Sequence, residues 1–269
     1  MGQPACIVRL FRVYFLWLRG DGLDTQIGWL NWFSLGWFLF CWVSYSLFAR
    51  RMAKKSACLA SVMHVHRINW MRRLLQREMR VGDAALLANI ERNVNFFASS
   101  CVLILAALVT ALTAVAQLEG VLSSISFAIS SSVLELELKV MTLIVIFIYA
   151  FFTFTWSMRQ FGFASVLVGA APIPGDTTVT AAERRSFAIY AAKVIDQASH
   201  SYNFGLRAYY FSLAVLSWFL HPLLFIVTSA LVVLVLYRRE FHSTVLDAMK
   251  KVENVGTKLF VTDKELSRF

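Results

Sequence analysis

The sequence predicts an all-α polytopic membrane helix bundle with four main spans, plus interfacial and cytoplasmic amphipathic helices. Three observations predict it. Of 269 residues, 58% are hydrophobic and only 16% charged, where soluble globular chains carry about 25% charged residues. Four stretches are long and apolar enough to cross about 30 Å of hydrocarbon, which takes about 20 helical residues. The 26 Lys and Arg, which leave a net charge of +10 against 16 Asp and Glu, sit between the apolar runs. There they read as cytoplasmic anchors rather than as a nucleic-acid surface. A soluble enzyme, a disordered chain and a nucleic-acid partner are excluded.

Residues 1–27 read as an N-terminal extension forming an interfacial amphipathic helix. Arg9 and Arg12 interrupt its apolar run, and a signal peptide's small-residue cleavage site is missing. The bundle follows over 28–241. Its first span, 28–49, carries no charge and ends on Arg50-Arg51. Trp29, Trp32, Trp37 and Trp42 lie in or beside it, several at headgroup level. The second, 96–117, is rich in Ala, Ser and Thr, and the third, 140–161, is crowded with aromatics. The fourth, 208–237, is longer and contains Pro222, the site of a kink or break. Residues 242–269 form a basic C-terminal tail.

Four simple crossings with the first loop inside put fifteen Lys and Arg in the cytoplasm against eleven outside. The bias has the expected sign, but the basic tail opposes it. A fourth stretch folded back at His221-Pro222 returns the tail inside and gives twenty-two against four. About 30 helical residues make roughly 45 Å, which suits a tilted or protruding single crossing. Each half is about 21 Å, too short to cross alone. The kinked single crossing is the preferred expectation, with the hairpin kept open.

The loops are organised. From Cys58 to Arg80, Val62, Val65, Ile68, Leu75 and Met79 recur at helical spacing among arginines, as in a basic helix lying on anionic headgroups. Gly82 breaks it, and Asp83 then caps a helix continuing through Leu86, Leu87 and Ile90 into the second span. Pro172 to Asp176 reads as a turn, and Thr180-Ala-Ala-Glu183 as a capping box. The helix that follows is expected to reach about Ser201, with Phe187, Tyr190 or Ala191, Val194 and Ala198 on one face.

The string ASVMHVHRINWMRRLLQREMRVGDAALLANIERNVNFFASS, with LNWFSLGWFLFCWVSY, WSMRQFGFASVLVGAAP and NFGLRAYYFSLAVLSWFLHP, resembles the domain-of-unknown-function 599 family of bacterial and plant membrane proteins. The resemblance runs from about Leu30 to Phe241. It implies a multi-span protein of the bacterial inner (cytoplasmic) membrane and no particular activity.

Several polar residues are candidates for function. Ser99, Ala106, Thr110, Thr113 and Gln117 recur at steps of 7, 4, 3 and 4 in the second span. Thr142, Tyr149, Thr153, Trp156 and Gln160 repeat those steps in the third. Each set shares one helix face, readable as a packing surface or as the lining of a pathway. Ser217 and His221 share a face at Pro222, with a titratable group expected near mid-membrane. Glu91, Arg92, Asn93, Asn95, Arg159, Asn203 and Arg207 form a polar set at the cytoplasmic ends of spans, readable as anchors or as a vestibule. His64 and His66 face apart on a helix and make a poor metal pair. Four cysteines without a CxxC pair give no zinc site, and no metal or cofactor is expected. No nucleotide-binding or hydrolase motif is present and no span holds paired carboxylates, so no residue can be given a catalytic role. The expectation is a homo-oligomeric channel or transporter for a small solute or ion. The alternative is a non-transporting scaffold or regulatory subunit that engages anionic headgroups or a partner through its basic loop and tail.

Overall fold

The computed structural model describes residues 28–52, 58–123 and 132–260, which hold eight helices and no strand. They are α1 (Trp29–Met52), α2 (Leu59–Leu74), α3 (Val81–Thr113), α4 (Val115–Ser123), α5 (Val133–Gly169), α6 (Ala181–Trp218), α7 (Pro222–Phe241) and α8 (Thr244–Phe260). Four stretches are long and apolar enough to cross a membrane: Trp29–Ala49, Val81–Thr113, Val133–Gly169 and Pro222–Val252. The interfacial helix expected before Gly28 and the end of the tail lie outside the described residues.

Local chemistry sets the helix ends. Ser132 caps α5, its hydroxyl accepting from the Glu135 amide at 3.3 Å. The expected capping box opens α6: Glu183 accepts from the Thr180 amide at 2.8 Å, and the Thr180 hydroxyl accepts from the Glu183 amide at 3.3 Å. Between them, Arg184 donates to the carbonyls of Ile173 and Asp176 and holds the Pro172–Asp176 turn. Helix α2 stops at Leu74, six residues short of the expected end, and Gly82 lies inside α3 rather than before it. Asp83 is no cap. It is 2% exposed and accepts from the Trp70 indole at 2.7 Å and the Arg77 guanidinium at 2.8 Å. Burial of the α2–α3 corner gives it those partners in place of orphan helix amides. Arg80 caps the far end of α5 instead, donating to the Ala171 and Pro172 carbonyls at 2.6 and 2.7 Å.

Helices α5 and α6 pack antiparallel at the centre. Small residues on α6, including Ala191, Ala198, Gly205 and Ala208, are buried and let the backbones approach. The Ser157 hydroxyl donates to the Ala198 carbonyl at 2.7 Å, and the Ser201 hydroxyl lies 2.9 Å from the Gln160 amide group. Ala191 rather than Tyr190 takes the inner face of α6. Helix α3 packs on α5 through Leu87, Val94, Ala98 and Cys101. Helix α1 lies against α7 and inserts aromatics between it and α6. Phe38 meets Phe211 and Phe225, and Trp42 stacks on Phe211 at 5.3 Å. Thus Trp42 is core, whereas Trp29 is 77% exposed at the end of α1.

The stretch expected as one crossing over 208–237 is divided. Helix α6 ends at Trp218. Pro222 is the first residue of α7, where its missing N–H costs nothing, and His221 caps that helix. The two helices form an antiparallel hairpin. Trp218 stacks on Phe225 at 4.9 Å, Ser217 bonds Thr228 at 2.7 Å, and far from the turn Arg239 donates to the Tyr210 hydroxyl. The arm before the turn is not 14 residues but part of a 38-residue helix about 57 Å long, so length no longer opposes a hairpin. The hairpin turn lies at one end of the bundle with Asn31, Glu135 and Lys139: the Trp218 indole donates to Asn31 at 2.8 Å, and Asn31 donates to Glu135 at 2.7 Å. The other end gathers α2, α8, the arginines of the first loop, and the turn before α6.

Candidate functional site

Asp196, His200, Asn203, Arg207 and Tyr210 follow one another on α6 at steps of 4, 3, 4 and 3, which puts them on one face. That face enters the apolar half of the helix from the basic end. It forms one wall of a cavity of about 260 Å³. Met63 and Arg67 of α2, Tyr45 of α1, and Leu236, Arg239 and Glu240 of α7 form the others.

Asp196 ties this site together. It is buried and accepts from Arg67 at 2.5 Å, and His64, one helical turn before Arg67, bonds its other oxygen. The cross-link docks α2 onto α6 over a sequence gap of 129 residues. His200, one turn further along, has its pKa lowered from 6.5, first by burial; Asp196 pulls the other way and Arg67 and Arg207 add to the lowering. Its ring lines the cavity wall.

The other two arginines are held by rings. The Arg207 guanidinium lies 5.2 Å from the Tyr45 ring centre and 5.5 Å from that of Phe204. Arg239 lies 5.3 Å from the Tyr210 ring centre while donating to a hydroxyl of the same residue. Among the described residues neither is ion-paired with a carboxylate. Stacking uses the face of a guanidinium and leaves N–H donors at its edge. The cavity can therefore present two oriented cationic forks beside an Asp that is already neutralised.

The sequence profile of a family described as "Protein of unknown function, DUF599" matches residues 33–245, most of the chain and every residue lining the cavity. The chain belongs to the DUF599 family. No curated protein and no solved structure matches it.

In this DUF599 protein the polar faces expected on two neighbouring helices do not meet. Thr142, Tyr149, Thr153 and Gln160 are buried in the core, and Trp156 is 45% exposed. Thr142 and Thr153 donate to carbonyls one turn back, at 2.8 and 2.5 Å. Ser99, Ala106, Thr110 and Thr113 lie on the outer face of α3. Gln117 falls on α4, after the helix breaks at Ala114. Helix α3 packs on α5 through its Leu87–Val94–Cys101 side, which turns its small and polar stripe outward.

His221 is not at mid-bundle. Its Nδ1 accepts from the Leu223 amide at 3.0 Å at the hairpin turn, and Ser217 bonds the Ala214 carbonyl and Thr228. The polar set at the span ends is scattered. Glu91 accepts from Ser165 at 2.9 Å, and Arg159 lies over Phe163. Arg92, Asn93 and Asn95 are exposed on α3. Of that set, Asn203 and Arg207 reach the cavity.

Arg67, Asp196, His200, Arg239, Glu240, Tyr45 and Tyr210 were not candidates on sequence grounds. The stepping of polar residues from Asp196 to Tyr210 was a signal that could have been found. The contributions of α2 and α7 carry no comparable pattern. Among the described residues no cluster of His, Cys, Asp and Glu could hold a metal.

Proposed function

We propose that this DUF599 protein is a membrane-embedded regulatory or scaffold protein, engaging a ligand or partner at its basic end instead of conducting solute through its own bundle. The observation that carries this reading is the cavity at the junction of α2, α6 and α7, where Asp196 clamps the basic loop and two further guanidiniums are unengaged by carboxylates. The bundle interior favours it as well. Phe38, Trp42, Phe154, Phe211, Trp218 and Phe225 are fully buried and fill the space a path would need.

The hairpin supports a topology of five crossings: α1, α3, α5, the half of α6 from about Phe204, and α7. The first loop, the third loop with the start of its crossing at Arg207, and the tail then share one side with twenty-two of the 26 Lys and Arg. By the positive-inside rule that side is the cytoplasm, here of a bacterial inner membrane. Helices α3, α5 and α6, about 50 to 57 Å long, project beyond the hydrocarbon there and carry α2 with them.

Affinity purification from native membranes tests the reading. A stoichiometric partner or lipid retained by the full chain and lost on Asp196→Ala is expected. Proteoliposomes that pass small solutes or ions at rates abolished by Thr110→Leu would refute it. That outcome belongs to a second reading, a homo-oligomeric channel or transporter. Its support is the outer face of α3, where Ser99, Thr110 and Thr113 stand beside exposed Val102, Leu103 and Val109.

A further inference from the structure

We propose that the cavity between α2, α6 and α7 binds the phosphodiester headgroup of a membrane phospholipid, held between Arg207 and Arg239. The proposal rests on the binding role assigned above and names the chemistry it takes.

Charge comes first. Five formal charges line the cavity: Arg67, Arg207 and Arg239 against Asp196 and Glu240. Asp196 is consumed by Arg67, and His64 bonds it as well. The pKa of His200 is shifted toward the neutral imidazole. Arg207 and Arg239 then face Glu240, an excess of one positive charge. A phosphodiester carries one negative charge and matches it, whereas a doubly charged phosphate monoester leaves a surplus beside Glu240.

Shape and position agree. Guanidiniums are the side chains best suited to planar, two-pronged contact with phosphate oxygens. Tyr45 and Phe204 hold one and Tyr210 the other, so less rotamer freedom is lost on binding. The carboxylate of Glu240 can accept from a hydroxyl or ammonium beyond the phosphate. Beside Ser199 and Asn203, the apolar part of the wall is made by Leu59, Ala60, Met63, Leu206 and Leu236. A free anion gains nothing from those residues. A headgroup whose acyl chains continue along α6 and α7 gains from both halves, and the five-crossing topology puts the cavity, where the apolar part of α6 begins, at headgroup depth.

The test uses the full chain in nanodiscs of phosphatidylcholine alone or with a fraction of phosphatidylglycerol, read by thermal unfolding and by lipid retained in native mass spectrometry. Phosphatidylglycerol should raise the unfolding temperature and remain bound. Arg207→Gln and Arg239→Gln should each weaken retention about tenfold, as expected for loss of charge-assisted hydrogen bonds. Arg238→Gln, one residue from Arg239 but outside the cavity, should retain lipid like the wild type. Arg239 is exposed, so its variant folds even if Arg207→Gln does not. Equal losses in Arg238→Gln and Arg239→Gln would overturn the proposal, as a diffuse response of a basic surface. Inorganic phosphate alone matching the thermal gain would overturn it too, assigning the cavity to a soluble anion. In either case a partner captured through Asp196 would still leave the regulatory reading standing.

Discussion

Gly205 shows how one missing side chain sets the central helix pair. A Cβ built there would lie 2.6 Å from the Phe154 ring. That ring cannot withdraw, because Phe97 stacks on it at 5.5 Å, with Tyr202 and Tyr209 around it. Gly205→Ala should destabilise the protein by about 1–3 kcal/mol, the usual cost of overpacking, seen as earlier unfolding in detergent. Adding Phe154→Leu should recover part of the loss; a single variant as stable as wild type would contradict this packing. Nothing in the sequence marks Gly205, since its neighbour across the helix pair is 51 positions away and any small residue serves the local helix. His200 makes a residue-scale prediction in pH. Its folded pKa lies below the unfolded value near 6.5. The unfolded chain therefore takes up the proton first, so the contribution is complete above about pH 6.5 and is lost as pH falls through the folded value. His200→Gln should flatten the acid limb of a stability–pH profile measured between pH 7 and 5.

At the scale of elements, the docking of α2 depends on charge as well as on Val62, Met71 and Leu74, which it buries. Asp196→Asn keeps the shape and removes the charge that Arg67 and His64 address. Amide hydrogen exchange across residues 59–74 should quicken about tenfold or more, while α5 remains protected. Unchanged exchange would mean that the apolar contacts alone hold α2. Element boundaries were legible where the cap is local: Thr180 and Glu183 are three residues apart, and their box formed as expected. The boundary near Gly82 was not. Arg80 and Asp83 spend their hydrogen bonds on Ala171, Pro172, Trp70 and Arg77, partners that the linear pattern cannot show.

The whole molecule turns on the hairpin at His221-Pro222. Single cysteines at Thr178 and Ser243 should react with a membrane-impermeant reagent from the same side, and cysteines at Ser132 and His221 from the other, in a background with Cys6 replaced. Labelling of Ser243→Cys from the side of Ser132→Cys would restore the single kinked crossing. Four apolar segments were legible because transfer into lipid is a sum over neighbouring residues. The C-terminal half of α6 was harder to recognise, since Asn203, Arg207, Tyr209 and Tyr210 lower its hydropathy, and the partners Tyr45, Phe97 and Arg239 that the last three meet lie on other helices.

By itself the sequence determined that the protein lives in a membrane, where its main apolar helices run, how α6 is capped, and which loops are basic. All of these follow from preferences that act within a few residues. Tertiary structure alone decided that α6 and α7 turn back on each other, that the threonine faces of α3 and α5 point apart, and that Asp196 meets Arg67 beside Arg207 and Arg239. Those outcomes depend on close packing and ion pairing between residues tens to hundreds of positions apart, and a linear pattern holds no record of which distant face a helix will meet.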